Sequence, residues 1–295
     1  MEISVCISTY QRPEMLRRLL GDLASQETGG RFSYEVVVAD NDSAESARNV
    51  VQEMAGGYPV PLTYCGEPRR SIAHVRNMTL ARSAGGLIAF IDDDEFPIAS
   101  WLLQLWETLD AHSCAGVLGP VRPHYPDGTP SWVVKGGFFD RPEHPTGFVM
   151  PWGECRTGNV LFRRGIIKDI DPVFRPEFGT AGSDVDFFRR MIATGHQFVW
   201  CNEAVVHEAV PLSRSTRSYL LKRALLRGGN YFQHPEGRLK AVALSAVAMP
   251  IYTVWLPFLF LAGQHHFMKY LAKWCYHVAR LLSPLGVRLV KTRPM

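Results

Sequence analysis

Short apolar runs alternate with stretches of helical period through the first hundred residues. Ile3 to Ser8 reads as a buried strand, and after Thr9-Tyr10-Gln11-Arg12-Pro13 the residues Leu16, Leu19, Leu20 and Leu23 recur on one face of a helix, with Pro13 suited to its first turn. Glu35 to Ala39 is a second strand, followed by a helix carrying Ala47, Val50, Val51 and Met54. Leu62 to Tyr64 gives a third strand, and Ser71 opens a helix expected to be capped at its far end by Gly85-Gly86. Leu87 to Ile91 is a fourth apolar run, after which Trp101, Leu102, Leu105, Trp106 and Leu109 return to helical spacing. This alternation predicts an α/β fold with a mostly parallel, doubly wound sheet.

The pattern then changes. Seven prolines between Val117 and Pro151 predict loops and short edge strands, with Trp132, Phe138, Phe139, Phe148 and Trp152 either buried beneath them or open to stack on sugar rings. Val160 to Phe162 is a strand, Phe178 to Gly182 a flexible Gly-rich lead into a helix that Ser183 is expected to cap, and Phe198 to Glu208 has strand character. Residues 241–262 carry no charge, which is long enough to span a bilayer with Pro250 and Pro257 as kinks, and Phe267 to Leu282 mixes basic and aromatic residues like an interfacial helix.

Charge separates the same two regions. The 295 residues carry a net +4, but from Pro211 onward thirteen Lys and Arg face the single acid Glu236, a net +12, leaving −8 on residues 1–210. We therefore expect an acidic body at 1–210 and basic, apolar helices at 211–295 that meet a membrane rather than nucleic acid. A single span would put the last six bases on the far side, so a membrane hairpin or interfacial helices fit better. Six scattered cysteines form no CxxC pair, and the start of the chain enters a strand with no leader, so the body is expected in the cytoplasm.

Candidate chemistry gathers where strands end. Asp92-Asp93-Asp94-Glu95 follows the fourth apolar run, and four acids cannot be packed unpaired inside; at the carboxyl edge of a parallel sheet they suit Mg²⁺ or Mn²⁺ shared with phosphates. Asp40 and Asp42 follow the second strand, Asp42 or Ser43 serving as a helix cap and Asp40 as a base or ribose contact. Thr9, Tyr10 and Arg12 read equally as nucleotide contacts or as an ordinary loop. Arg76 and Asn77, one turn into a helix, read as a diphosphate clamp or as surface residues. Asp184 and Asp186 lie in a first helical turn that favours acids whatever their function, and His207 alone reads as structural.

Five collinear segments, Ile7 to Pro13, Val38 to Asp42, Ile91 to Glu95, Ser183 to Phe188 and Val205 to Glu208, resemble the family 2 glycosyltransferases of the GT-A fold over about 210 residues. Within the family the chain is most similar to small bacterial enzymes that build exopolysaccharide repeat units on a lipid carrier. The resemblance implies that Ser8, Thr9, Tyr10, Arg12, Asp40 and Asp42 hold the nucleotide of a UDP-sugar donor together with Asp92 and Asp93. Arg76 and Asn77 would lie near its diphosphate. Asp92 and Asp94, as the D-x-D motif, and His207 would bind Mn²⁺ or Mg²⁺, and Asp184 would be the catalytic base. The first acid of the family's acidic pair is here Ser183. The loose echo Arg214 to Tyr219 of the processive signature implies one sugar per encounter. The implied reaction is inverting transfer of a hexose, glucose first, to a polyprenyl-diphosphate-linked saccharide at the cytoplasmic face of the bacterial inner membrane. The rival readings are a metal-dependent nucleotidyltransferase, against which no Lys-bearing Gly-rich loop is present, and a decayed sugar-nucleotide binder.

Overall fold

The structure, a computed structural model, describes residues 2–178, 182–230, 238–287 and 289–290. Residues 179–181 of the Gly-rich lead and the basic positions 288, 291 and 293 lie outside the described residues. In chain order the elements are β1 (Ile3–Thr9), α1 (Pro13–Ala24), β2 (Tyr34–Asp40), α2 (Arg48–Ala55), β3 (Leu62–Gly66), α3 (Ile72–Arg82), β4 (Leu87–Asp92), β5 (Glu95–Pro97), α4 (Trp101–His112), β6 (Gly116–Leu118), β7 (Val121–His124), α5 (Ser131–Gly136), β8 (Asn159–Arg163), α6 (Ser183–Ala193), β9 (Phe198–Trp200), β10 (Val206–Ala209), α7 (Arg217–Asn230), α8 (Arg238–Leu261) and α9 (Gln264–Leu282). They divide into two units: residues 1–122 with 141–208, and residues 123–140 with 209–295.

In the first unit seven strands form one sheet in the order β3-β2-β1-β4-β8-β6-β9. The four strands β3, β2, β1 and β4 run parallel, and β8 runs antiparallel between β4 and β6. Alternate side chains go to opposite faces, which is why these strands are apolar throughout. Ile3, Val5 and Ile7 of β1, with Ala89 and Ile91 of β4, pack under α1, α2 and α4. Cys6, Ile88 and Phe90 join Val160 and Phe162 on the other face, under α3 and α6. The four leucines of α1 are fully buried, each contributing on the order of 2 kcal/mol before chain entropy is counted.

Two local expectations are corrected. Helix α3 ends at Arg82 with Ser83 as its cap, so Gly85 does not cap it. A Cβ on Gly85 would lie 2.7 Å from the Ser4 amide nitrogen, and the glycine is there to let the chain approach β1. Helix α6 is entered through Gly182, at φ +88°, a conformation that suits glycine, and Ser183 is its first helical residue rather than its cap.

Asn159 fastens the antiparallel insertion. Its Oδ1 accepts from Trp101 Nε1 at 2.8 Å, and its Nδ2 donates to the carbonyls of Pro120 at 3.0 Å and Ala204 at 2.7 Å. Asn159→Ala leaves Trp101 Nε1 and the Ala204 carbonyl unpaired, the Pro120 carbonyl keeping the Val206 amide at 3.0 Å, and is expected to cost about 3 kcal/mol. Urea denaturation should show a lower midpoint; a midpoint within error of the parent would mean that this latch carries no stability.

In the second unit α9 packs on both α7 and α8. Gly228 of α7 permits close approach, since a Cβ there would sit 2.2 Å from the Tyr276 carbonyl. Val133 and Phe139 pack with Val210 and Leu220 in a small core. Helix α8 contains a stretch, Val242–Leu261, long and apolar enough to cross a membrane, with 6% of it buried. Its outward face carries Leu244, Val247, Ile251, Val254, Phe258 and Leu261.

Candidate active site

Strand register aligns the chemistry. Ser8 lies opposite Asp92 on one side and Ala39 on the other, and Thr9 lies opposite Asp40, so the first three candidate segments end on one edge of the sheet. Asp93 is the organising residue there. Its carboxylate accepts from Thr9 Oγ1 at 2.8 Å, the Tyr10 amide at 3.4 Å and Arg12 Nη1 at 2.7 Å, and the same guanidinium nitrogen lies 2.9 Å from Asp94. Thr9, Tyr10 and Arg12 are thus drawn together with Asp93 and Asp94, but by bonds among themselves.

Asp40 and Asp42 build the neighbouring loop. Asp40 is fully buried and accepts from the amides of Asp42 and Ala47 and from the Tyr64 hydroxyl. Asp42 accepts from the Ala44 amide, and the residue preceding α2 is Ala47, so neither Asp42 nor Ser43 is its cap. Asn41 ties the loop to the carbonyls of Glu67 and Arg69 and to the Ser71 amide. Asn77 is spent in the same way, exchanging both amide groups with the Phe174 backbone at 2.8 and 2.9 Å.

Burial dominates the acids of the cluster. It pushes Asp92 up to about 6, with Arg76 pulling down and Asp94 and Asp93 pushing further. Burial also raises Asp93 against the pull of Arg12, and raises Glu95 well above the usual range, aided by Asp92. Glu95 accepts from the Asp92 amide through Oε2, and its Oε1 is buried without a partner, as are Ser8 Oγ and Thr157 Oγ1. Gly158 makes room for this carboxyl, since a Cβ there would lie 2.6 Å from Oε1. Sequence reasoning missed Arg141, which bonds Glu208 at 2.5 Å; burial opposes its charge, yet Glu95, Glu208 and Asp92 raise its pKa. It lies in a loop without periodicity, so no pattern marked it.

The expected metal ligands are placed as follows. Asp92 and Asp94 flank Asp93 at the sheet edge, and His207 of β10 lies opposite Phe96 of β5, its ring stacked on that of Phe96 at 5.4 Å. Among the described residues no group of three or more His, Cys, Asp or Glu side chains comes together to hold a metal. The donor chemistry still fits a hard cation: crowded, buried carboxylates with an orphaned oxygen suit Mg²⁺ or Mn²⁺, which take one or two protein carboxylates and complete their shell with phosphate and water.

Across from the acids, Arg76 is buried and donates to Ser183 Oγ at 2.8 Å while lying over the Phe174 ring at 5.5 Å. The serine in place of a carboxylate leaves this guanidinium with a hydroxyl partner. The next residue, Asp184, is partly exposed at the start of α6, and its Oδ2 lies 4.0 Å from Arg156 Nε. Asp186 is different: it is buried and held by Arg190 at 2.9 Å and Arg175 at 3.7 Å.

The glycosyl transferase family 2 model matches residues 4–171, a segment that includes Thr9 to Asp94 and ends before Asp184 and His207. The chain is 37% identical over 245 residues to succinoglycan biosynthesis protein ExoM of Rhizobium meliloti (strain 1021), covering 82% of this chain and 76% of that protein. Its fold is similar to that of mannosyltransferase PcManGT from Pyrobaculum calidifontis, solved with GDP-Man and Mn²⁺, with a TM-score of 0.66 at 19% identity over 96% of this chain and 87% of the other. It is also similar to S. aureus TarS 1-349 solved with UDP-GlcNAc, with a TM-score of 0.58 at 16% identity over 97% and 92% of the two chains.

Proposed function

We propose, from the premise that this chain belongs to glycosyl transferase family 2, that it transfers one hexose, glucose first, from a UDP-sugar to a polyprenyl-diphosphate-linked saccharide, inverting the anomeric carbon. It is a glycosyltransferase of the GT-A fold; the donor, acceptor and stereochemistry are our reading. The observation that carries this reading is the Thr9-Arg12-Asp93-Asp94 network at the sheet edge, with Asp184 held separately at the start of α6. A donor diphosphate and an acceptor hydroxyl need two such centres, one for charge and one for proton transfer.

In this reading Ser8, Thr9, Tyr10 and Arg12 line the nucleotide, and Asp40 and Asp42 act through the loop they order. Arg76, bonded to the Ser183 hydroxyl and close enough to lower the pKa of Asp92, faces the diphosphate. Asp184 accepts the proton of the acceptor hydroxyl; that oxygen forms the new bond to C1 while the bond from C1 to the phosphate oxygen breaks and its electron pair leaves with UDP. Asp92, Asp94 and His207 would hold Mg²⁺ or Mn²⁺, which when bound neutralises charge on the departing diphosphate. One base acting on the face opposite the leaving group inverts C1. The exposed apolar face of α8 and the basic residues of 211–295 support association with the cytoplasmic face of an inner membrane. The resemblance to the succinoglycan protein supports a place in surface-polysaccharide biosynthesis.

The test is binding and hydrolysis of UDP-, GDP- and dTDP-sugars by detergent-solubilised protein with Mn²⁺, with Mg²⁺ and with chelator. One UDP-hexose should be selected, and chelator should reduce its hydrolysis at least 10-fold. Selection of a GDP-sugar would overturn the donor assignment, and full activity in chelator would overturn the metal assignment.

A further inference from the structure

A shelf beside Asp184 carries apolar side chains that packing covers only in part, the Phe148 ring being stacked on that of His144 at 4.1 Å. Residues 147–150 are laced to β9: the Gly147 amide donates to Trp200 O at 2.8 Å, Trp200 to Phe148 O at 2.9 Å and Met150 to Phe198 O at 2.8 Å. Met150 and Cys155 are buried and anchor the shelf from below. Yet Phe148, Val149 and Trp152 are 40%, 54% and 42% exposed. Large apolar side chains gathered on a fixed backbone in open solvent mark a surface built to be covered.

Its position says by what. Arg156 Nη1 donates to the shelf carbonyl of Gly153 at 3.0 Å, and Nε of the same guanidinium lies 4.0 Å from Asp184, so the shelf and the proposed base are joined through one side chain. Arg189 projects from α6, the helix that bears Asp184, over the Trp152 ring at 5.8 Å. An indole steadied by a guanidinium, with much of its surface open, meets the C–H face of a pyranose, while the neighbouring guanidinium donates to ring hydroxyls.

We propose that Trp152, with Arg189 and Arg156, is the acceptor subsite: the terminal pyranose of the acceptor stacks on Trp152 and presents its hydroxyl to Asp184. This rests on the reading of Asp184 as the base and adds the residue that selects for a saccharide there. The shelf reaches the base through Arg156, so it serves acceptor recognition.

Saturation-transfer NMR on the full chain with UDP and Mn²⁺ tests this, using methyl β-D-glucoside, β-D-galactoside and β-D-mannoside as probes. At least one should receive saturation at ring C–H protons, and W152A should reduce that signal at least 5-fold while calorimetry finds UDP affinity within 2-fold of the parent. Should W152A lose UDP binding through misfolding, W152F takes over the comparison and is expected to hold an intermediate signal. No ring signal from any glycoside, or an equal signal in W152A or W152F, overturns the subsite. Failure of the parent protein to bind UDP would instead overturn the proposed function, which keeps the two failures distinct.

Discussion

Asp184→Asn is expected to reduce sugar transfer by about 10²- to 10⁴-fold, the range that a positioned general base contributes. The structural cost of the change should be small. Asp184 is partly exposed, and a first-turn acid stabilises its helix by only about 0.3–1 kcal/mol through the dipole, part of which asparagine keeps. Its partners are the Val185 amide at 2.9 Å and the distant Arg156, neither of which fixes the fold. Asp186, two residues on, supplies the contrast. Buried between Arg175 and Arg190, it should on conversion to asparagine lower the melting temperature by several degrees while sparing turnover of the protein that remains folded. Steady-state transfer, UDP calorimetry and thermal melts on both variants decide the matter. If Asp184→Asn transfers normally, or loses UDP binding together with transfer, the residue is not the base.

The pair also illustrates what a sequence can and cannot reveal. Alternation of apolar runs with helical spacing was enough to place β1 to β4 and α1 to α4, because strands buried on both faces and helices buried on one leave different periods. The antiparallel insertion of β8 between β4 and β6 was not legible. Direction leaves no mark on so short an apolar run, and the latch that enforces it, Asn159, depends on partners 39, 45 and 58 residues away. Four acids after β4 marked candidate chemistry because unpaired carboxylates do not pack inside, yet Asp93 and Glu95 of that run are buried. That Asp93 would turn back onto Thr9 and Arg12, and that Asp40 and Asn77 would spend their polar atoms on backbone, could not be read, since hydrogen-bond partners belong to the assembled loops. Arg141 shows the same limit from the other side: it is a charged neighbour of Asp92 that only folding identifies. Residues 123–140, which the prolines marked as loop, group with the C-terminal helices, a division that composition did not register.

Asp93→Asn should have the second large effect, and on a different observable. The substitution keeps shape and can keep the Thr9 bond, but removes the charge that gathers Arg12 and the Tyr10 amide at the end of β1. Bonds to a buried carboxylate are worth more than neutral ones, about 1.5–3 kcal/mol each, but Arg12 is partly open to solvent and its share is screened. A net loss of about 2 kcal/mol is expected, felt where the first loop must hold a nucleotide, so UDP affinity should fall roughly 30-fold. Arg12, released from Asp93, retains Asp94 as a partner at 2.9 Å and would compete for the carboxylate proposed to bind metal. The variant should therefore also need a higher Mn²⁺ concentration for half-maximal UDP binding. Calorimetric titration of UDP at several Mn²⁺ concentrations separates the two effects: weaker affinity at saturating metal reports the loosened loop, and a shifted metal dependence reports capture of Asp94. If both titrations superimpose on the parent, Asp93 holds the loop in the free protein without contributing to the site, and the network centred on it is architecture alone.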